Sequence, residues 1–307
     1  MKLEDLPIED LGAFAEAVET LTEDEVTKLL EEAKKHLEGE WPFVVTQPDA
    51  RTVFHGDLFG DLVSVYDVWN VLGLKEVLEN YKLVFLGNYV DRGPKQLETL
   101  LLVLSLKARR PSEVFVLRGN HEPYRGLEPL PHDFPQHLAK RFKGWKDVLR
   151  AARSVFEALP FALVVDGAVV AYHGGPATVL LRRGCRGLEC VFGEPRAEVV
   201  EEILWNDPAN ICGWEDGPEA CWAPSPRGRG FLWGPGATRY LLEALEVSYV
   251  VRGHTPVDGV KFFHRKRVVS VFTRVGSPFF NKRAGAWAPD FLDPSWELEP
   301  ERWAVIV

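Results

Sequence analysis

Apolar positions between residues 23 and 39 recur at helical spacing, at Val26, Leu29, Leu30, Ala33 and Leu37. The pattern predicts an amphipathic helix, with Thr22 placed to cap its first turn. Trp41-Pro42 breaks the pattern into a loop, and Thr52-Val53-Phe54 reads as a short strand. Helical spacing returns from Leu62 to Leu72 and again after Pro94, at Leu97, Leu100, Leu101, Leu104 and Leu106. Between and after these helices lie two short, unbroken apolar runs, Lys82 to Leu86 and Val114 to Leu117. Such runs suit strands buried on both faces. Strand and helix in alternation predict βαβ units and a parallel sheet, an α/β fold. Residues from about Pro131 to Leu159 look helical, and Ala162–Val165 and Ala168–Tyr172 form a hairpin across Asp166-Gly167. Residues 175–235, rich in Gly, Pro and Trp, read as long surface loops around one helix near Val199–Leu204. The C-terminal part reads as a helix at Thr238–Leu245 and strands at Tyr249–Val251, Val260–Phe263, Val268–Phe272 and Trp303–Val307.

Composition narrows the class. The 307 residues carry 36 Lys+Arg against 45 Asp+Glu, a net charge of −9, and 46% are hydrophobic. This is a globular composition with material for a large core, not a disordered one. With no repeat or linker visible, one domain over 1–307, with a helical lead-in to about residue 40, is the simplest organisation. The acidic balance argues against an electrostatic nucleic-acid binder. No apolar run approaches the roughly 18 residues of a membrane span, and Met1 to Asp5 lacks a signal pattern. A cytoplasmic protein is therefore expected. One Met, three Gln and seven Asn is the sparing use of thermolabile residues found in thermophiles. The four cysteines, Cys185, Cys190, Cys212 and Cys221, do not have zinc-site spacing. In an ordinary cytosol they are expected as free or buried thiols; a hyperthermophilic source would favour one or two disulfides. Trp214, Trp222 and Trp233 either cap a core or form a partner surface.

Candidate chemistry gathers just beyond the strand ends. Asp57 follows the first strand, Asn88 and Asp91 the second, Asn120 and His121 the third; His173 and His254 follow two later ones. Each group has a glycine beside it: Gly56, Gly87, Gly119, Gly174 and Gly253. In a parallel sheet the carboxyl ends of strands share one edge, where ligands bind. Oxygen and imidazole donors without thiolate suit Mn, Fe, Zn or Mg. His55, on the same strand face as Asp57, is a further candidate ligand. His36, His132, His137 and His264 lie on ordinary polar stretches and are expected to be structural.

These segments resemble the phosphoprotein phosphatase family of metal-dependent Ser/Thr protein phosphatases. Phe85 to Gly93 (F-L-G-N-Y-V-D-R-G) is similar to the family's F-L-G-D-Y-V-D-R-G, and Leu117 to Glu122 matches L-R-G-N-H-E. His173-Gly174-Gly175, Leu204 to Pro208, Arg227-Gly228 with Gly234, and Arg252-Gly253-His254 follow in the family's order. The resemblance implies a metallophosphoesterase αβ sandwich, two mixed sheets flanked by helices, with the site at the carboxyl ends of strands. It also implies two divalent metals that activate a water for attack on phosphoserine or phosphothreonine. Residue by residue, it makes Asp57, Asn88, Asn120, His173 and His254 metal ligands, His121 the general acid with Asp91 its partner, and Arg92 and Arg227 phosphate clamps.

Two positions depart. Phe59 stands where the family has a ligating His, and Asn88 where it has the Asp that bridges both metals. A phenyl ring offers no lone pair, and an amide oxygen carries no charge to offset the repulsion of two dications about 4 Å apart. The expectation is one divalent ion, manganese first with iron or zinc as alternatives, and impaired turnover. The expected partner is a phosphoprotein substrate, with a regulatory subunit possible in principle. Alternatives are a pseudophosphatase or an inactivated form that binds phosphorylated partners, and, more distantly, a nucleoside polyphosphate hydrolase. Asp61 is either a recruited ligand or a helix-start acid. Pro176-Ala177, after His-Gly-Gly, departs from the family's L-S-P in the substrate groove.

Overall fold

The computed structural model describes residues 1–193 and 195–307. In chain order its strands are β1 (Phe43–Thr46), β2 (Thr52–His55), β3 (Lys82–Phe85), β4 (Val114–Val116), β5 (Ala162–Val165), β6 (Val169–Tyr172), β7 (Asp207–Pro208), β8 (Trp222–Pro224), β9 (Phe231–Trp233), β10 (Tyr249–Arg252), β11 (Val260–Phe263), β12 (Val268–Val271), β13 (Gly285–Trp287) and β14 (Ala304–Ile306). The helices are α1 (Leu11–Thr20), α2 (Glu23–Lys35), α3 (Leu62–Leu72), α4 (Leu74–Asn80), α5 (Gln96–Arg109), α6 (Phe134–Arg141), α7 (Trp145–Ala158), α8 (Thr178–Arg182), α9 (Leu188–Phe192), α10 (Ala197–Trp205) and α11 (Pro235–Leu245).

Strand order is β1-β5-β6-β10-β12-β11 in one mixed sheet and β14-β13-β2-β3-β4 in a second; β7-β9-β8 form a third, small one. The alternation of side chains explains the layering. Phe54, Val84 and Phe115 meet Leu163, Val169, Val251 and Val271 in a core between the two large sheets. Val53, Leu83, Phe85, Val114 and Val116 turn the other way, onto α1 to α5 and α7. Val164, Val170 and Val250 do the same beneath α8, α10 and α11. The result is a helix–sheet–sheet–helix sandwich.

β2, β3 and β4 are parallel, as their patterns predict, and β5 and β6 form the antiparallel hairpin. Thr22 caps α2: its Oγ1 accepts from Glu25 N at 3.3 Å, while the Glu25 carboxylate accepts from Thr22 N at 2.9 Å. That reciprocal pair is a capping box. Asp61 caps α3 from its N-cap position, accepting from Ser64 N at 3.1 Å without a reciprocal partner, so it is a helix-start acid.

Several expectations need correction. Residues 175–235 are not one helix among loops; they hold α8, α9, α10 and β7 to β9. Strands of two or three residues leave no periodicity to read. β1 and β13 were not expected either, β1 being half-exposed and β13 having only three residues. The cysteines are not free thiols: Cys185 pairs with Cys190 and Cys212 with Cys221. Folding sets that proximity, and spacing alone does not reveal it. Trp233 is fully buried, while Trp214 and Trp222 are half-buried beneath Arg265 and Arg182.

His264 is a satisfied core histidine. Its Nδ1 accepts from the Thr238 hydroxyl at 2.7 Å, and its Nε2 donates to the Ala209 carbonyl at 3.1 Å. Burial lowers its pKa to about 4. The unfolded chain takes up this proton first, near pH 6.5, so the stabilisation is complete above that pH and is lost as pH falls towards 4. We expect His264→Gln to flatten the decline of unfolding free energy between pH 6.5 and 4.5, by about 2 kcal/mol, measured by urea unfolding.

Candidate active site

Both large sheets supply the site, so its rim is shared and not the edge of one sheet. Loops after β2, β3 and β4 bring Asp57, Asn88, Asp91 and Asn120; loops after β6 and β10 bring His173 and His254. Two glycines allow the approach. A Cβ on Gly56 would lie 2.0 Å from the Val271 carbonyl oxygen of the opposite sheet, and one on Gly87, at φ +100°, would lie 2.2 Å from Gly119 N. Phe59, Asn88, Asp91, Arg92 and His254 all hold positive φ, between 44° and 69°. Non-glycine residues enter this region only under constraint, and such residues cluster at functional sites.

Asn88 sits at the centre. Its Oδ1 accepts from His121 N at 2.9 Å, which fixes the amide's orientation. Its Nδ2 then donates to Asp57 Oδ2 at 2.8 Å and to Asn120 Oδ1 at 3.0 Å. Asp57 Oδ1 accepts from His254 N at 2.6 Å. Burial raises the Asp57 pKa to about 6, although these hydrogen bonds and the Arg252 and Arg227 charges oppose the rise. Glu122, buried beneath, accepts from Asn88 N, Tyr89 N and Gly119 N at 2.8, 2.8 and 3.0 Å, which anchors the loop. Burial still carries its pKa to about 7.

His173 has acceptors on both sides: Leu86 O lies 2.8 Å from Nδ1 and Asn120 Oδ1 lies 2.8 Å from Nε2. Burial holds its pKa well below 6.5, so the ring is neutral and carries one proton. With that proton on Nδ1, donated to Leu86 O, the Nε2 lone pair faces the Asn120 oxygen. Turning the Asn120 amide would instead oppose it to the Asn88 amino group. His254 lies beside His173, ring centres 5.2 Å apart, and its Nε2 is buried without a partner. Burial lowers its pKa to about 3. Converging lone pairs and an orphaned imidazole nitrogen are the donor chemistry of a cation site, and a backbone carbonyl accepting from Nδ1, as Leu86 O does here, is the usual support for a ligating His.

Asp91 holds four donors. Oδ1 accepts from Asp133 N and Phe134 N at 2.8 Å each; Oδ2 accepts from His121 Nδ1 at 2.6 Å and His132 Nδ1 at 2.9 Å. Burial works against its ionisation, but the two histidines outweigh that and hold the carboxyl well below the usual range. His132 was expected to be an ordinary polar residue. Its loop has no periodicity, and only folding returns it to Asp91. Arg92 N donates to Asp133 Oδ1 at 3.0 Å, and the charge of Arg92 opposes protonation of His121.

Arg227 is oriented by Asp207, Nε to Oδ2 at 2.6 Å; Asp207 Oδ1 also accepts from buried Arg252 at 2.9 Å. Burial opposes ionisation of Asp207, yet His254, Arg252 and Arg227 hold its pKa low. Sequence reasoning gave Asp207 and Arg252 no role, although both lie inside the quoted motifs. His55 is not a ligand: Trp69 Nε1 donates to its Nε2 at 2.8 Å, and the ring stacks on Phe85 with centres 4.6 Å apart. Phe59 is buried, its ring 4.9 Å from that of His121 and 4.8 Å from that of Phe279.

Fold and site together define a metallophosphoesterase. Residues 50–258 match the calcineurin-like phosphoesterase family, and the chain belongs to that family, whose members use divalent metal ions. Within it the chain is a homologue of Ser/Thr protein phosphatases. It is 32% identical over 224 residues to a serine/threonine-protein phosphatase of Caenorhabditis elegans, covering 71% of this chain and 47% of that protein. The chain thus spans about half the length of that curated relative. In fold it matches a protein serine/threonine phosphatase from Saccharomyces cerevisiae with a TM-score of 0.75 at 22% identity, over 94% of this chain and 89% of the other. Among the described residues no helix is long and apolar enough to cross a membrane.

Proposed function

We propose that the protein binds phosphoserine or phosphothreonine monoesters, holds one divalent ion, manganese first, and hydrolyses slowly. The observation that carries this reading is the Asn88 amino group, which points at Asp57 and Asn120 where a bridging carboxylate would have to face cations. An N–H donor cannot ligate a metal. Phe59 removes a second donor from the same side. The donors that remain for one ion are Asn120, His173 and His254, with Asp57 adjacent.

Such an ion, when bound, supplies Lewis-acid polarisation of a phosphoryl oxygen. Arg92 and Arg227 clamp phosphate oxygens, a task that suits guanidinium forks. His121, held through Nδ1 by Asp91, presents Nε2 to the leaving oxygen; in the imidazolium form, which the Asp91 charge favours, it gives up the Nε2 proton as the P–O bond breaks and returns to neutral imidazole. Asp207 keeps Arg227 aimed by fixing its Nε. The Phe59 ring against His121 excludes water from one side of the imidazole.

A second reading is a pseudophosphatase that captures phosphorylated partners without turnover. Phe59, filling the place of a ligand, favours it. Metal analysis after manganese loading, with p-nitrophenyl phosphate turnover, tests both. We expect close to one ion per chain and slow turnover. Two ions with brisk turnover would overturn the impaired reading, and one ion with no turnover would select the pseudophosphatase.

A further inference from the structure

Beside the site lies a cavity of about 510 Å³ whose walls include Pro256, Val257, Phe279, Lys261, Lys282 and Arg283. It adjoins the phosphate site through two segments of chain. Pro256 and Val257 follow His254 closely, and the Phe279 ring packs on Phe59, which packs on His121. The cavity is basic in a protein whose net charge is −9. Elsewhere in this part of the chain Arg265, Lys266 and Arg274 have carboxylate partners in Glu215, Glu301 and Asp61. Among the described residues Lys261, Lys282 and Arg283 have none, although Lys261 lies over the Phe263 ring. Asp258 is the one acid on the cavity wall, and its Oδ1 is engaged by Lys282 N at 2.6 Å. On the rim Phe280 is 79% exposed and held at φ +61°. An exposed aromatic beside an arginine is a pairing enriched at recognition surfaces.

We propose that this cavity seats an acidic segment of a protein substrate, next to the phosphorylated residue that enters the Arg92–Arg227 site. The choice of occupant rests on charge complementarity. In a protein of net charge −9, three unpaired cations around one cavity beside the phosphate site attract an acidic segment there and set a direction from which it approaches. The pairing of this cavity with a phosphorylated residue rests on the phosphate-site reading above; the acidic character of the segment does not.

Fluorescence anisotropy on the manganese-loaded protein tests this with four labelled peptides, acidic or neutral in sequence and phosphorylated or not at one serine. We expect the acidic phosphopeptide to bind about tenfold more tightly than the neutral one, the sum of three modest rim pairs. This preference should shrink as salt rises. In Lys261→Glu/Lys282→Glu/Arg283→Glu the acidic-to-neutral ratio should collapse to one or below. A control with the same charge change at Lys75, Lys143 and Lys146, outside the cavity, should keep it. No acidic preference in the starting protein, a ratio unmoved by the triple variant, or an equal collapse in the control would each overturn the proposal. So would tighter binding of anionic lipid vesicles than of the acidic peptide. If phosphorylated and unphosphorylated acidic peptides bind equally but the ratio still depends on the three cations, the phosphate-site reading fails and the acidic-segment assignment stands.

Discussion

The double substitution Phe59→His/Asn88→Asp is expected to raise manganese-dependent turnover of p-nitrophenyl phosphate by at least about a hundredfold. Recovering roughly 3 kcal/mol of transition-state stabilisation suffices, since each ~1.4 kcal/mol is tenfold in rate. The two changes act differently. Asn88→Asp replaces the amino group lying 2.8 Å from Asp57 Oδ2 with an oxygen, so two buried carboxylates face each other. Without metal that repulsion should lower the melting temperature; with manganese the order should reverse, because a cation between the oxygens converts repulsion into attraction. Phe59→His removes a ring packed on Phe279 and Phe272 and supplies an imidazole donor in its place. Each single variant should recover less than the pair, because a second ion needs both. Turnover and metal content unchanged in the double variant would mean the metal centre has been placed on the wrong residues.

Asp91→Ala is expected to destabilise the metal-free protein by about 3–5 kcal/mol, lowering the melting temperature by on the order of 10 °C. Four donors converge on this carboxylate from two places in the chain: His121, and the consecutive residues His132, Asp133 and Phe134 that lead into α6, the last two through their backbone N–H groups. Removing it leaves buried imidazole and backbone N–H groups unpaired, and each carries a desolvation cost. Asp91→Asn should cost less. Its oxygen can still serve the α6 amides, and one histidine can change tautomer to accept from the new amino group. Thermal unfolding with a chelator present isolates this effect from metal loss. A change below about 1 kcal/mol for the alanine variant would show that the cluster does not hold the loops together.

Local physics made much of this molecule legible in its sequence. The apolar runs of β2, β3 and β4 and the helical spacings between them announce parallel strands with helical crossovers, because burial on both faces demands unbroken apolar residues. Thr22 and Glu25 announce a helix start because a cap satisfies orphan amides within one turn. The order of Asp57, Asn88, Asn120, His173 and His254 after strand ends already places candidate donors on a common rim. Phe59 and Asn88 are visible as departures because lone pairs and charge belong to residue identity.

Contacts between residues far apart in the chain depend on packing alone. The joining of two sheets into one rim, His132 arriving on Asp91, the cysteine pairs, and Phe279 closing over Phe59 beside a basic cavity were all decided there. So was the orientation of the Asn88 amide, set by a single N–H from His121. Composition names the groups that can donate or accept, but the direction in which each one points is settled only when the rest of the chain has folded around it.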